Sequence, residues 1–232
     1  MSRRARIHEQ TRQEIKTVAH RLMAEQGTSA LSLGAVARAL DITPQAIYHY
    51  YANRDELITT LLVDAYHNLA AALAEASQRH PDADYATRLL VTSLAYRAWA
   101  VDHPIDFLLM FGNPIPLYSA PVEQTAPAAQ RVFVEFLTLL QAAHDAHLLR
   151  IDAPPSAIAA WVAPPPHFDT AASQVDPAVA YIAVVSWATI HGLVMLELTN
   201  HMQPTLTNLG SIYQHECLRL LASIGLTPSA IS

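Results

Sequence analysis

Apolar residues recur along this chain at intervals of three and four, the spacing of one helical face. Ile15, Val18, Ala19 and Leu22 do so within a polar stretch, predicting a helix from about Glu9 to Gln26 with Gly27 as its stop. Ser32 is placed to cap a short second helix, Leu33 to Leu40. Thr43 caps a third, from Pro44 to about Tyr51, with proline at the first helical position, where its missing N–H costs nothing. A fourth helix opens at Asn53, whose spacing to Glu56 is that of a capping box, and continues to Gln78. Beyond it the pattern predicts helices over 84–102, 104–111, 121–149, 154–163, 177–201 and 206–224, punctuated by prolines. The segment 163–168, Ala-Pro-Pro-Pro-His-Phe, begins the longest loop. No alternating Val/Ile/Thr run bounded by hairpin residues occurs, and no internal repeat, so the expected fold is all-α.

Composition narrows the class. Of 232 residues, 52% are hydrophobic and 15% charged, which is poor in the signature of disorder and ample for a core. The single cysteine, Cys217, excludes an intrachain disulfide and a thiolate metal cluster, and its apolar flank reads as a buried, inert thiol. Behind Met-Ser-Arg-Arg-Ala-Arg no apolar stretch follows that would serve as a signal peptide, so a cytoplasmic location is expected. The net charge of −6 argues against a generic nucleic-acid-coating protein. Divided by segment it says something else: residues 1–50 hold seven Lys+Arg against four Asp+Glu, and residues 51–232 hold seven against sixteen. A head of +3 thus precedes a body of −9.

Within the head, only Asp41, Ile42 and Thr43 join the second and third helices, a connection that crosses them steeply. Val36, Ala37, Leu40, Ile42, Ile47 and Tyr50 are apolar at the spacings a bihelical unit needs. Asp41 stands where the sharp turn often uses glycine; aspartate tolerates the left-handed conformation. With Ile47, Tyr50 and Tyr51 inward, Gln45, Ala46, Tyr48 and His49 share the outer surface. Those types suit DNA reading: Gln pairs with adenine, Ala meets a thymine methyl, Tyr and His reach phosphates or base edges. Arg54, the Thr28 and Ser32 hydroxyls and two helix N-termini are placed to clamp phosphates. Arg3, Arg4 and Arg6 form a basic tip suited to the backbone or a minor groove, or else a solvated tail.

The run from Thr28 to Leu57, Thr-Ser-Ala-Leu-Ser-Leu-Gly-Ala-Val-Ala-Arg-Ala-Leu-Asp-Ile-Thr-Pro-Gln-Ala-Ile-Tyr-His-Tyr-Tyr-Ala-Asn-Arg-Asp-Glu-Leu, resembles the DNA-binding head of the TetR family of bacterial repressors. The resemblance implies a third helix that enters the major groove, a variable helical body that binds ligand and dimerises, and release of DNA by ligand. By position it makes Thr43, Gln45, Ala46, Tyr48 and His49 groove- or phosphate-facing and Arg54 a phosphate contact; Arg6, Thr28, Ser32, Leu33 and Pro44 complete the expected DNA-facing set. A helix-turn-helix domain over 1–52 and a helical ligand-binding and dimerisation domain over 53–232 follow. Two body segments, Tyr96 to Gly112 and Trp187 to Gly192, resemble the paired signatures of the TetR body type named for its Trp-His-Gly motif.

Ala178 to Leu196 carries no formal charge and is long enough to be weighed as a membrane span. It contains Ser186, Thr189, His191 and Gly192, lies between Asp176 and Glu197, and has no flanking Lys or Arg to anchor it. The expectation is instead a helix buried on one side by the core and on another by a second subunit. With the last helix it forms half of a four-helix bundle in a homodimer, which suits double-stranded DNA with a palindromic operator.

The break at His103-Pro104, with Trp99, Phe107, Met110 and Phe111 around it, suggests a site for a small apolar or aromatic effector. Tyr96, His103, Asp106 and His191 are its candidate polar handles; Trp187 and His191, four apart on one face, are either packing residues or ligand contacts. A plain aromatic core is the alternative. The twelve histidines include His144 and His147 beside Asp145, but no His-Glu-x-x-His or Cys/His pattern, so neither metal nor cofactor is expected. The absence of a Gly-rich phosphate loop, a Gly-x-Ser-x-Gly elbow and a spaced carboxylate pair argues against an enzyme. The expected function is a sequence-specific DNA-binding regulator, a repressor released by its effector. The alternative is a ligand- or metal-binding helical protein, activator or sensor, whose head is scaffold.

Overall fold

A computed structural model describes residues 2–112, 115–150, 175–203 and 205–229. Among these the regular elements are helices: α1 Arg3–Gln26, α2 Leu33–Ala39, α3 Pro44–Ile47, α4 Arg54–Gln78, α5 Tyr85–Asp102, α6 Pro104–Phe111, α7 Val122–Asp145, α8 Pro177–Leu198 and α9 Leu209–Ser223, with a 3-10 turn at Thr28–Ala30. The chain is all-α, as its periodicity predicts. The expected helix over 154–163 and the loop at 163–168 lie outside the described residues.

Most element boundaries agree with the pattern, and the exceptions are physical. α1 begins six residues before the expected Glu9, with the Ser2 hydroxyl accepting the Ala5 N–H at 3.2 Å. Its first turns are made of good helix formers, reinforced by Gln13 to Glu9 at 2.8 Å and Gln10 to Glu14 at 3.0 Å. The apolar stripe starts only at Ile15, where the helix first meets the core. Arg3, Arg4 and Arg6 therefore ride on a helix and are not an irregular tip.

The expected ends of α7 and α8, at 149 and 201, overshoot by a few residues for a shared reason. α2, α7, α8 and α9 each close with a left-handed residue: Asp41 at φ 53°, His147 at 58°, Asn200 at 58° and Gly225 at 84°. Each shows the paired bonds of a Schellman motif, such as Leu148 N–H to Ala143 O at 3.0 Å with His147 N–H to His144 O at 2.8 Å. Only one of the four is a glycine; aspartate, asparagine and histidine are the other residues that enter this region readily.

The chain forms two compact groups. The first takes in the described residues of Met1–Ala65 and His103–Thr125, with Ile15, Ala19, Val36, Ala37, Ile47, Tyr51, Leu61 and Phe107 in its core. The second, Tyr66–Asp102 with Ala126–Ser232, is built around Leu69, Leu73, Leu89, Tyr96, Val132, Leu139, Val194 and Tyr213. In this second group the Arg97 fork joins α5 to α8, Nε donating to Glu197 Oε2 at 2.7 Å. A Cβ on Gly210 would meet that guanidinium at 3.3 Å, so α9 starts close against it.

The C-terminal segment is tied back by Asp84. One carboxylate oxygen caps α5 by accepting the Thr87 N–H at 2.7 Å, and the other accepts the Ser229 N–H at 3.0 Å. Burial pushes this carboxyl up, but the bonds from Ser229 and Thr87 outweigh it and hold it down at about 2. A carboxyl depressed on folding stabilises above its unfolded value, about 3.9, and loses that contribution as pH falls through the folded one. The protection of the Ser229 amide against exchange, relative to its unfolded rate at the same pH, is therefore expected to be high and flat above about pH 4 and to fall toward about pH 2, whereas Asp84→Asn shows low protection at either pH.

Candidate nucleic-acid interface

The turn between α2 and α3 is built by Asp41. Ile42 N–H donates to Ala37 O at 3.1 Å and Asp41 N–H to Arg38 O at 3.2 Å, closing α2 while sending the chain off at a steep angle. Thr43 restarts it: its hydroxyl accepts the Ala46 N–H at 3.2 Å, and Pro44 takes the first helical position. Ile47 and Tyr51 are fully buried. Arg12 of α1 lies over the Tyr51 ring, 4.9 Å from its centre.

The outer surface is as the spacing implies. Thr43, Pro44, Gln45 and His49 are exposed, Tyr48 is 56% exposed, and Ala46 is half-buried. α3 itself is only four residues long, shorter than the expected helix to Tyr51, and continues as turns. Tyr50, expected inward, is half-buried and packs on His8 of α1 at 4.7 Å between ring centres. That pairing was not readable from spacing, because the two residues are 42 positions apart and belong to the part of α1 that lacks an apolar stripe.

Two members of the expected DNA-facing set are placed differently. Leu33 is 6% exposed, since Leu33, Val36 and Ala37 form the inner face of α2 at intervals of three and four; its side chain belongs to the core. Arg54 does not point outward: its Nε donates to Leu31 O at 2.7 Å, with longer contacts to Pro116 O and Thr28 O. Ser32 is exposed, and its hydroxyl already caps α2 by accepting the Ala35 N–H at 3.1 Å. Thr28 is half-buried, and Arg6 is exposed on α1.

The candidate ligand residues fall into two sets, one in each compact group. In the first, Phe107 of α6 is fully buried and packs on Phe111 at 5.0 Å, with Met110 half-buried. Asp106 faces His20 of α1 at 3.3 Å. Burial raises the Asp106 carboxyl; His20 and His103 pull it down and Asp64 pushes it up. His103 itself is exposed. Asp64 in turn accepts from Lys16 at 2.8 Å.

In the second group, Tyr96 and Trp99 are buried on α5. The Tyr96 hydroxyl lies 2.7 Å from His191 Nδ1. Burial raises the Tyr96 phenol and lowers the His191 imidazole, so both are neutral near pH 7. Trp187 stacks on His191 at 4.6 Å and receives Phe133 edge-on at 5.1 Å. Sequence spacing put Trp187 and His191 on one face; the bond to Tyr96, 95 positions away, is a tertiary finding.

His144 lies 3.8 Å from Asp176, and His147 is the left-handed residue that ends α7. Among the described residues no group of three or more His, Cys, Asp or Glu is placed to hold a metal. Burial pushes the Cys217 thiol up to about 12, so it is not a thiolate.

A bihelical unit with a sharp turn, a buried inner face and an exposed polar outer face, carried with a helical body, defines a helix-turn-helix protein. Residues 15–61 match the family model described as bacterial regulatory proteins, tetR family, and residues 89–220, more than half of the chain, match that described as tetracyclin repressor-like, C-terminal domain. The chain belongs to the TetR family of transcriptional regulators. Both Trp-His-Gly-type segments lie within the second match. The HTH-type transcriptional regulator Rv1816 of Mycobacterium tuberculosis is 35% identical over 142 residues, covering 61% of this chain and 61% of its own, and Mb1846 of Mycobacterium bovis gives the same figures. The matched stretch thus spans about three fifths of these curated relatives' length. Among solved structures, the regulatory protein SCO4313 superposes with a TM-score of 0.79 at 30% identity, over 95% of this chain and 100% of that one. A tetR-family regulatory protein from Rhodococcus RHA1 shares the fold, with a TM-score of 0.66 at 19% identity over 93% and 97% of the two chains.

Because Asp41 sits at φ 53°, its turn carries strain that a glycine would not. Asp41→Gly is expected to raise stability in urea by up to about 1 kcal/mol, and Asp41→Val to lower it by about 2 kcal/mol.

Proposed function

We propose that this protein is a homodimeric repressor that reads a palindromic operator through the segment Thr43 to His49 and leaves it when a small apolar or aromatic ligand binds the body. The observation that carries the reading is the outer surface of α3 and the turns that continue it: Gln45, Tyr48 and His49 stand exposed over a fully buried Ile47 and Tyr51. Those side chains offer an amide for adenine and two polar rings for phosphates or base edges, on a base that packing holds still. Exposed Arg6, with Arg3 and Arg4 on the same helix, supplies cationic charge to the DNA side of a chain whose net charge is −6.

Dimerisation through the last two helices is supported by what α8 leaves uncovered. Among the described residues, two helices are long and apolar enough to cross a membrane by length and composition alone, α4 and α8. The apolar window of α4 is 44% buried, as a core helix requires; that of α8 is 17% buried. Tyr181, Val184, Val185 and Leu196 are exposed, and a Cβ added to Gly192 would meet nothing within 4 Å. Positions 181, 184, 185, 188, 192 and 196 share one helical face, and Leu218 on α9 is exposed as well. Such a face, with a glycine in its middle and no basic flank, fits a second copy of the chain better than lipid.

The ligand class follows from the aromatic surroundings of Tyr96, Trp99, Trp187 and His191 and of Phe107, Met110 and Phe111, with His103 and Asp106 as further polar handles. Neither set includes the phosphate loop or metal cluster of an enzyme, and the family points the same way. A cytoplasmic protein that acts on DNA and on a diffusible effector is consistent with one buried, unreactive cysteine.

Selection from a random duplex library with the full chain is the direct experiment. A two-fold symmetric consensus is expected; recovery of no sequence preference at any salt concentration overturns the reading. With that consensus, Gln45→Ala is expected to cost about 1–3 kcal/mol at one base position of each half-site and to relax specificity there. Val184→Asp is expected to give a monomer by sedimentation and to lose operator affinity while keeping its helical circular dichroism.

A further inference from the structure

Arg54 opens α4 at the position that the family resemblance makes a phosphate contact, yet its side chain is only 25% exposed and turned toward main-chain carbonyls. Nε donates to Leu31 O at 2.7 Å, NH1 reaches Pro116 O at 3.4 Å and NH2 reaches Thr28 O at 3.5 Å. Thr28 and Leu31 lead into α2, the first helix of the reading unit. Pro116 belongs to the turn that follows α6. That turn is fastened to α4 a second time: the Tyr118 hydroxyl lies 3.0 Å from that of Thr59, which itself donates to Asp55 O at 2.8 Å, and Ile115 is buried. Since the Thr59 proton is committed to Asp55, Tyr118 is the donor to Thr59. Burial raises the Tyr118 phenol and keeps it protonated for that role.

The chemistry of the arginine side chain fits this place and not a phosphate. A guanidinium carries five N–H donors spread over three nitrogens in a rigid plane, so each carbonyl meets a different nitrogen; a lysine ammonium gathers its three donors on a single atom and does not reproduce that fork. To reach a phosphate, Arg54 would first have to give up a short charged bond to a carbonyl of the buried Leu31.

We infer that Arg54 is a positioning residue that pins the turn after α6 to the entrance of the helix-turn-helix, so that the end of α6 and the setting of α2 and α3 move together. The inference rests on the DNA-reading function proposed above. α6 is tied to the head near its start as well, through Asp106 and His20. A displacement of the turn at 115–118 reaches Thr28 and Leu31 through one side chain, without travelling along α4. This turn is thereby a control point for operator affinity, acting by geometry and not by charge.

The test uses the full chain and the duplex selected by wild type, with affinity measured against salt for Arg54→Lys, Arg54→Gln and Tyr118→Phe. A pin requires that Lys and Gln both weaken binding by about tenfold or more, because neither rebuilds the fork, with the salt slope unchanged. Tyr118→Phe removes no charge and is expected to weaken binding severalfold at the wild-type slope. Combined with Arg54→Lys it is expected to add less than its separate effect, because both hold one turn. The inference is overturned if Arg54→Lys stays within about threefold of wild type while Arg54→Gln lowers the slope by about one, the signature of a phosphate contact. It is also overturned if Tyr118→Phe binds as wild type does. Should the Arg54 variants fail to fold by circular dichroism, Tyr118→Phe decides alone. If wild type itself selects no sequence, what fails is the DNA-reading function and not the placing of Arg54.

Discussion

A helix of four residues cannot be sustained by its own hydrogen bonds, because its first turn costs more order than it returns. α3 exists because Ile47 and Tyr51 are buried without remainder. Burying two side chains of that size is worth roughly 2–3 kcal/mol each, more than a short isolated helix lacks. Everything proposed for DNA depends on this anchoring: Gln45, Tyr48 and His49 face outward only because their neighbours are fixed inward. The two caps at Asp41 and Thr43 then set the angle, one ending α2 and the other starting α3 within three residues.

The cations of the head divide between holding that anchor and facing solvent. Arg12 lies over Tyr51, Lys16 is paired with Asp64, and Arg54 is turned toward carbonyls. Arg3, Arg4 and Arg6 remain exposed, at the start of α1. The segment charge of +3 therefore overstates what is offered to a phosphate backbone at some positions and leaves it intact at others. A charge count locates the DNA-facing end of the chain; it does not say which arginine touches DNA.

The body shows the same contrast between local and tertiary information. The apolar residues of α8 divide between two faces, Val179, Ile190 and Val194 buried and Tyr181, Val184, Val185 and Leu196 exposed. Near the end of the same helix, Glu197 is held by the Arg97 fork, which fixes α8 against α5 in a way no periodicity announces. Tyr96 is hydrogen-bonded to His191 and Trp187 stacks on that imidazole within an aromatic cluster, so each has a packing role whatever ligand the body takes.

What the sequence determined by itself was the set of elements and the identity of the reading unit. Caps, turn residues and apolar intervals are local, and Ser32, Thr43, Pro44, Asp41 and Ile47 could be assigned their parts from their neighbours alone. The start of α1 and the ends of α7 and α8 were less legible, because polar helix formers and left-handed histidine or asparagine lack the contrast of an apolar stripe or a glycine. Only the tertiary structure decided the direction of Leu33, the partner of Tyr50, the hydrogen-bond partner of His191 and the orientation of Arg54. In each case the deciding group is distant in sequence: His8 for Tyr50, Tyr96 for His191, Leu31 and Pro116 for Arg54. A side chain's type states which bonds it can make, but which it does make depends on the carbonyls and rings that folding brings within about 3 Å of it.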